Sequence, residues 1–295
     1  MSTSRNVKVA LCQISTTSDK VANIKTACDA IEEAAAANSD IIALPECFNS
    51  PYDTASFPVY AEKIPASAEQ LTEAEHPSTF ALSQAAKRFS RHIIGGSIPE
   101  RGDDDRVYNT CVVFGPDGGI LGKHRKMHLF DINVPGKITF RESDTLSAGN
   151  SVTVIDTPLC KLGVGICYDL RFPELSMLMR AAGCDALFFP GAFNLTTGPA
   201  HWELLLRARA LDNQCYVCAV SPARGPPGGG YQAWGHSTAV SPWGEVIATT
   251  GHESAIVYAV LELGRNAEVR ASIPVSQQKR RDVYGLQGPG ERAGL

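Results

Sequence analysis

Cys167 stands where a cysteine can react. The stretch Gly163-Val164-Gly165-Ile166-Cys167-Tyr168-Asp169-Leu170-Arg171-Phe172-Pro173-Glu174-Leu175 reads as a buried strand that runs into the cysteine, turns, and enters a helix with Pro and Glu in its first turn. N–H groups at a helix start carry partial positive charge, which lowers a thiol pKa and can receive an oxyanion. Two further segments supply what a thiol nucleophile needs. Glu46, in Leu44-Pro45-Glu46, follows an apolar strand, at the carboxyl end where α/β sheets bind ligands. A carboxylate among apolar side chains has a raised pKa and can move protons near neutral pH. Lys126, in His124-Arg125-Lys126, adds a cation. Base, cation and nucleophile together suffice to open a carbon–nitrogen bond through a thioester.

Taken singly, each residue has a plainer reading. The chain has nine cysteines, and most buried free cysteines are inert small hydrophobes. Cys12, Cys111, Cys160, Cys215 and Cys218 sit in or beside apolar, strand-like runs, Cys28 on the apolar face of a helix, and Cys184 in a turn after Gly183. Cys47 follows Glu46 directly and is expected to point away from the chemistry. Glu46 alone is an ordinary loop glutamate, Lys126 alone a surface lysine, and Glu142, in Phe140-Arg141-Glu142-Ser143, carries the least signal by itself.

The elements that must position these residues alternate. Val7 to Leu11 reads as a strand, and Lys20 to Ala36 as an amphipathic helix with Val21, Ile24, Cys28, Ile31 and Ala35 on its apolar face and Ser18 or Asp19 as its cap. Ile41 to Leu44 is a continuously apolar strand, as expected when both faces of a sheet are covered. Ser78 to Phe89 is a second helix and His92 to Ser97 the next strand. Tyr108 to Phe114 and Gly119 to Lys123 flank the hairpin turn Pro116-Asp117-Gly118. The second half repeats the first. Asp40-Ile-Ile-Ala-Leu-Pro-Glu-Cys-Phe-Asn49 is echoed by Asp185-Ala-Leu-Phe-Phe-Pro-Gly-Ala-Phe-Asn194, residues 92–99 by residues 215–222, and the turn Pro116-Asp117-Gly118 by Pro242-Trp243-Gly244. Two similar α/β halves joined face to face give a four-layer α-β-β-α sandwich with one continuous core. No Ser/Gly linker separates them, so residues 1–284 are expected to form a single domain. Residues 285–295, rich in Gly, are expected to form a mobile or partner-contacting tail.

Composition narrows the classes. The chain has 295 residues, 44% hydrophobic and 20% charged, as for an ordinary soluble domain. A net charge of −4 and a pI near 6.0 argue against a phosphate-backbone partner. An odd cysteine count without regular spacing suits a reducing compartment. Cys215 and Cys218 have C-x-x-C spacing, but on a strand they face opposite sides and cannot share a metal. The seven histidines show no ligand spacing, and no metal site is expected. With no signal-like leader and no apolar run of membrane length, the expected location is the cytoplasm, with neither nucleic acid nor membrane as partner.

Leu44-Pro45-Glu46, Arg125-Lys126 and Gly165-Ile166-Cys167-Tyr168-Asp169, in that order, resemble the nitrilase superfamily of carbon–nitrogen hydrolases, over nearly the whole chain from Val7 to about Tyr284. The resemblance implies a Glu–Lys–Cys triad on an α-β-β-α sandwich, the architecture the internal repeat reaches separately. Three longer segments are similar to the omega-amidase branch: Pro45 to Tyr52, His128 to Phe140, and Pro190 to Glu203. That branch hydrolyses the terminal amide of alpha-ketoglutaramate and alpha-ketosuccinamate to the keto diacid and ammonia, with no metal or organic cofactor. The resemblance implies Glu46 as general base and acid, Cys167 as nucleophile, Lys126 on the oxyanion with the N–H after the cysteine, and Glu142 as support for Lys126.

A substrate carboxylate needs a cation, and Arg171 is the nearest; its plainer reading is an ion pair with Asp169 or Glu174. Tyr52, Tyr168, Phe193, Asn194 and Thr196 are expected around the pocket. Two other functions compete. Amidases acting on deaminated glutathione tend to show Cys where this chain has Phe130 and to lack Gly191 and Asn194, although Arg207-Ala208-Arg209-Ala210 and Gln214-Cys215-Tyr216 look closer to them. A non-catalytic binding protein on the same fold would not need the Glu46, Lys126, Cys167 set. The apolar run Leu175, Met177, Leu178 and Met179 exceeds what one buried helix face needs and is compatible with a homodimer.

Overall fold

The computed structural model describes residues 5–286. Most of the expected tail, residues 287–295, lies outside the described residues. The first half runs β1 (Asn6–Gln13), α1 (Lys20–Ala36), β2 (Ile41–Ala43), α2 (Phe57–Tyr60), α3 (Pro77–Phe89), β3 (His92–Ile94), β4 (Ile98–Arg101), β5 (Val107–Phe114) and β6 (Ile120–Arg125). A ribbon of β7 (Asp131–Val134) and β8 (Ile138–Arg141) follows. The second half runs β9 (Thr153–Asp156), β10 (Lys161–Val164), α4 (Pro173–Ala181), β11 (Ala186–Pro190), α5 (Gly198–Asn213), β12 (Tyr216–Val220), β13 (Thr238–Val240), β14 (Val246–Thr249), β15 (Ala255–Glu262), α6 (Gly264–Ser272) and α7 (Val275–Gln278).

The two sheets stack inside two helical layers. One sheet has the order β15-β1-β2-β3-β5-β4, with β6 also paired to β5; the other is β14-β13-β12-β11-β10-β9. Period-two alternation on β1 explains the layering. Val7, Val9 and Leu11 join the core shared with the second sheet, where Leu162, Val164, Leu187 and Val217 lie. Ala10 and Cys12 face outward into a second cluster with Ala27, Ile31, Leu82 and Ala86 of α1 and α3. On the far side Met179 of α4 and Trp202, Leu206 and Ala210 of α5 cover the second sheet.

The repeat read in the sequence is visible strand by strand, with one exchange. The last strand, β15, does not stay with the second half. It runs antiparallel to β1 from Asn6↔Glu262 to Gln13↔Ala255, so the C-terminal half closes the edge of the N-terminal sheet. In the second sheet β9 takes the matching place against β10.

The face expected for α1 needs correction. Asp19 caps the helix, accepting from the Ala22 N–H. Its buried residues are Asn23, Ala27, Ala30, Ile31, Ala34 and Ala35. Ile24 and Cys28 are only half-buried and Val21 is 77% exposed. The reason is size. The short alanine side chains let α1 close on the sheet, while Val21, Ile24 and Cys28 turn to a groove shared with Phe80 and Phe89 of α3.

The exchanged strand is expected to make the sandwich one cooperative unit. Leu261, fully buried on β15 in the shared core, is the test. Leu261→Ala is expected to cost about 3 kcal/mol. In urea the whole protein should unfold in a single transition at a lower midpoint with unchanged slope, rather than the first sheet alone melting early.

Candidate active site

Glu46 lies one turn beyond β2, on a loop pinned against the chain after β3. The Ser97 N–H donates to the Pro45 carbonyl at 3.2 Å and the Cys47 N–H to Ser97 Oγ at 3.0 Å. The approach is so close that a Cβ on Gly96, at φ +60°, would lie 2.2 Å from the Pro45 carbonyl oxygen. Cys47 itself packs with Phe57, Val107 and Leu146. Lys126 follows β6, its N–H held by the Asn109 carbonyl at 2.8 Å. Asn109 also reaches Glu46: its Nδ2 donates to Oε1 at 2.9 Å. One residue of β5 thus positions Glu46 and Lys126 together.

Cys167 has φ +47°, in the left-handed region that β-carbons disfavour, and opens a short 3₁₀ turn over Cys167–Arg171. Asp169 holds that turn. Fully buried, it accepts from the Ile166 N–H at 2.9 Å on its own loop. It also accepts from Met127 and His128 N–H groups at 3.2 and 3.0 Å, and pairs with His128 Nδ1 at 2.7 Å and His124 Nε2 at 2.9 Å. The turn that carries Cys167 is thereby tied to the strand end that carries Lys126.

At the centre Lys126 Nζ lies 3.0 Å from Glu46 Oε1 and 2.8 Å from Glu142 Oε1, all three side chains fully buried. Glu142 Oε1 also accepts from the Tyr52 hydroxyl at 2.6 Å, and its Oε2 from the Phe130 N–H at 2.7 Å. Glu46 Oε2 accepts from the Ala192 N–H at 2.8 Å, a bond from the second half of the chain. Burial opposes the Lys126 charge, but Glu142 and Glu46 outweigh it and hold the ammonium well above the ordinary lysine value. Burial raises the Glu46 pKa against the pull of Lys126, with Glu142 raising it further.

The helix starts where the sequence placed it, at Pro173 with Glu174 in its first turn, but the expected lowering of the Cys167 pKa is not found. Burial, then the negative charge of Glu46, push the thiol well above the ordinary cysteine value, and Lys126 only partly offsets them. Cys167 thus lies beside a carboxylate that opposes its ionisation.

Cys167 borders a tight crevice with Phe130, Tyr168, Arg171, Ala192, Phe193 and Thr197. Arg171 makes neither of the ion pairs considered for it. Asp169 is taken by the two histidines, and Glu174 is exposed on the first turn of α4. The Arg171 guanidinium instead lies 4.8 Å from the Phe193 ring centre and 5.6 Å from that of Tyr168, with Nη1 3.2 Å from His201 Nδ1. Asn194 braces a turn, its Oδ1 accepting from the N–H groups of Thr196 and Thr197 at 2.9 Å each. Thr197, not Thr196, lines the crevice. Tyr52 stacks with Phe140 of the ribbon and with Tyr231, whose hydroxyl donates to the Ala192 carbonyl at 2.5 Å. Asn109, Asp169, Thr197 and Tyr231 were not singled out from sequence. Only Asp169, beside the cysteine in a turn, carried a local signal. Among the described residues no three His, Cys, Asp or Glu side chains are grouped to hold a metal ion.

Asp169 is the cross-tie, so Asp169→Asn is expected to destabilise the protein by about 3 kcal/mol, since an amide cannot accept at both atoms. Burial works against the Asp169 charge, but its hydrogen bonds from His124 and His128 overcome it and hold the carboxyl below the usual range. Its contribution is therefore fully present above the unfolded-state value of about 3.9 and fades only as pH falls below it. Urea midpoints of wild type and variant should differ constantly from neutrality to mildly acid pH and converge only in stronger acid.

The carbon–nitrogen hydrolase family matches residues 8–271 of this chain. Omega-amidase NIT2 of Bos taurus is 55% identical over 280 residues, covering 95% of this chain and 97% of the bovine protein. The chloroplastic omega-amidase of Arabidopsis thaliana is 56% identical over 278 residues, covering 94% and 73% respectively. Among solved structures, Saccharomyces cerevisiae Nit3, a member of branch 10 of the nitrilase superfamily, superposes with a TM-score of 0.84 at 42% identity, covering 94% of this chain and 97% of the yeast chain. The layered sheets, the Glu46–Lys126–Glu142 cluster facing Cys167 and these similarities agree: this chain belongs to the carbon–nitrogen hydrolase family.

Proposed function

We propose that this chain is an omega-amidase. It hydrolyses the terminal amide of short keto-acid amides, alpha-ketoglutaramate and alpha-ketosuccinamate, to the keto diacid and ammonia. The observation that carries the reading is the buried Lys126 bonded to both Glu46 and Glu142 beside Cys167, at the end of a crevice lined by Arg171, which has no carboxylate partner among the described residues.

Glu46 takes the Cys167 thiol proton as sulfur attacks the amide carbon. The raised thiol pKa makes the transfer part of the attack rather than a prior ionisation. Of the three Lys126 N–H bonds, two point to carboxylates. The third, with the Tyr168 backbone N–H, stabilises the tetrahedral oxyanion. Glu46 returns its proton to the leaving nitrogen, and ammonia departs. Glu46 then takes a proton from water as it opens the thioester, freeing the acid and the thiol. Glu142 keeps Lys126 charged and aimed, with Tyr52 fixing Glu142. Arg171, over Phe193 and Tyr168, binds the far carboxylate, and burial strengthens that pairing. The narrow crevice favours a short acyl chain over deaminated glutathione.

The unpaired face of α4 and α5 supports pairing of two copies: Leu204 is 67% and Leu211 53% exposed, with Met177 and Leu178 half-buried beside them. The nine cysteines are all free, which suits a cytoplasmic site, and among the described residues no helix is long and apolar enough to cross a membrane.

Ammonia release from alpha-ketoglutaramate, with deaminated glutathione and a simple aliphatic amide alongside, tests the reading. Cys167→Ala should abolish turnover while staying folded. Arg171→Met should raise KM for the keto-acid amide about 100-fold while leaving the simple amide nearly untouched. The acid limb of kcat/KM should fall above the ordinary glutamate value, because protonated Glu46 cannot accept the thiol proton and its pKa is raised. A folded wild type that turns over none of these amides would sink the assignment, and preference for deaminated glutathione would move it.

A further inference from the structure

Asn109 lies inside β5 and reaches the site through two different atoms. Its backbone carbonyl accepts the Lys126 N–H at 2.8 Å, and its side-chain Nδ2 donates to Glu46 Oε1 at 2.9 Å. The side chain is buried, and its Oδ1 has no hydrogen-bond partner among the described residues. A buried amide oxygen left unpaired costs stability. The one hydrogen bond that this side chain does make among the described residues goes to Glu46.

That bond completes the setting of Glu46. Oε1 accepts from Lys126 Nζ at 3.0 Å and from Asn109, which fills both its lone pairs. Oε2 accepts only the Ala192 N–H at 2.8 Å and keeps a lone pair on which a proton can arrive. A donor bonded to the charged form of a carboxyl favours that form. Lys126 is such a donor, but it is shared, because Glu142 holds it and the oxyanion draws on it during attack. Asn109 is neutral and its amide serves Glu46 alone. Resting on the thioester reading above, we propose that Asn109 is a positioning residue for the proton transfer. Its amide keeps Glu46 ionised inside a desolvated site and leaves Oε2 to take the proton of Cys167. The S–H bond breaks as the Oε2–H bond forms, and Asn109 neither gains nor loses a proton.

Side-chain substitution separates the two bonds of Asn109. Asn109→Leu removes the amide donor, while the backbone bond to Lys126 needs no side chain. Infrared difference spectra, each protein minus its Glu46→Gln counterpart, record the protonated Glu46 carboxyl across pH without substrate. In the variant its midpoint should rise by about one pH unit, and the acid limb of kcat/KM for alpha-ketoglutaramate should move up with it, a loss of about 10-fold on that limb. A purely structural role would lower activity at every pH and leave the limb in place. A folded variant whose Glu46 midpoint stays at the wild-type value would overturn the proposal, as would a raised midpoint with an unmoved acid limb. Should circular dichroism show Asn109→Leu unfolded, Asn109→Ala removes the same donor with a smaller side chain. Failure of the parent assignment looks different: the wild type would hydrolyse no amide, while the infrared midpoints would still report on Asn109.

Discussion

A fully buried lysine is the constraint from which the rest of this structure follows. An ammonium removed from water is stable only if charge and hydrogen bonds replace its hydration. Lys126 obtains both from Glu46 and Glu142. Two carboxylates against one ammonium leave the cluster negative, and that excess is what Cys167 faces. Burial and Glu46 both push its thiol above the ordinary cysteine value, which in the proposed mechanism makes proton transfer to Glu46 part of the attack.

The cluster exists only because the two halves are sewn together around it. Glu46 comes from the first half yet accepts the Ala192 N–H of the second. Asp169 comes from the second half yet accepts N–H groups at Met127 and His128, next to Lys126. β15 completes the exchange at the far edge of the sheet. A close-packed core transmits such ties without slack, so residues from four loops can meet within hydrogen-bond distance. The aromatic layer of Tyr52, Phe140 and Tyr231 then shields the carboxylates, which strengthens every charge interaction beneath it.

Much of this was legible in the sequence, and the limits have physical causes. Strands, helices and the doubled architecture follow from periodicity and from the echo of Asp40–Asn49 in Asp185–Asn194. Glu46, Lys126 and Cys167 were readable because each ends a strand in a short motif. Asn109 was not, because it lies inside β5, where period-two patterning gives no hint that one side chain points at a carboxylate 63 residues away. The phase of α1 was misread because large side chains were assigned to the core, whereas alanines make the closest approach to the sheet. The direction of the Cys167 pKa was misread for a different reason. Sequence shows a helix beginning nearby, but it does not show a buried carboxylate brought alongside from another loop.

The resting protonation of Cys167 tests the central claim most directly. Thiolate absorbance in the ultraviolet, recorded across pH as wild type minus Cys167→Ala, isolates this one sulfur. No thiolate signal is expected until pH passes well above the ordinary cysteine value, with the same enzyme fully active at neutrality. A thiolate already formed at neutral pH would contradict it. Lys126 would then outweigh both carboxylates, and Glu46 would not be the base that receives the proton.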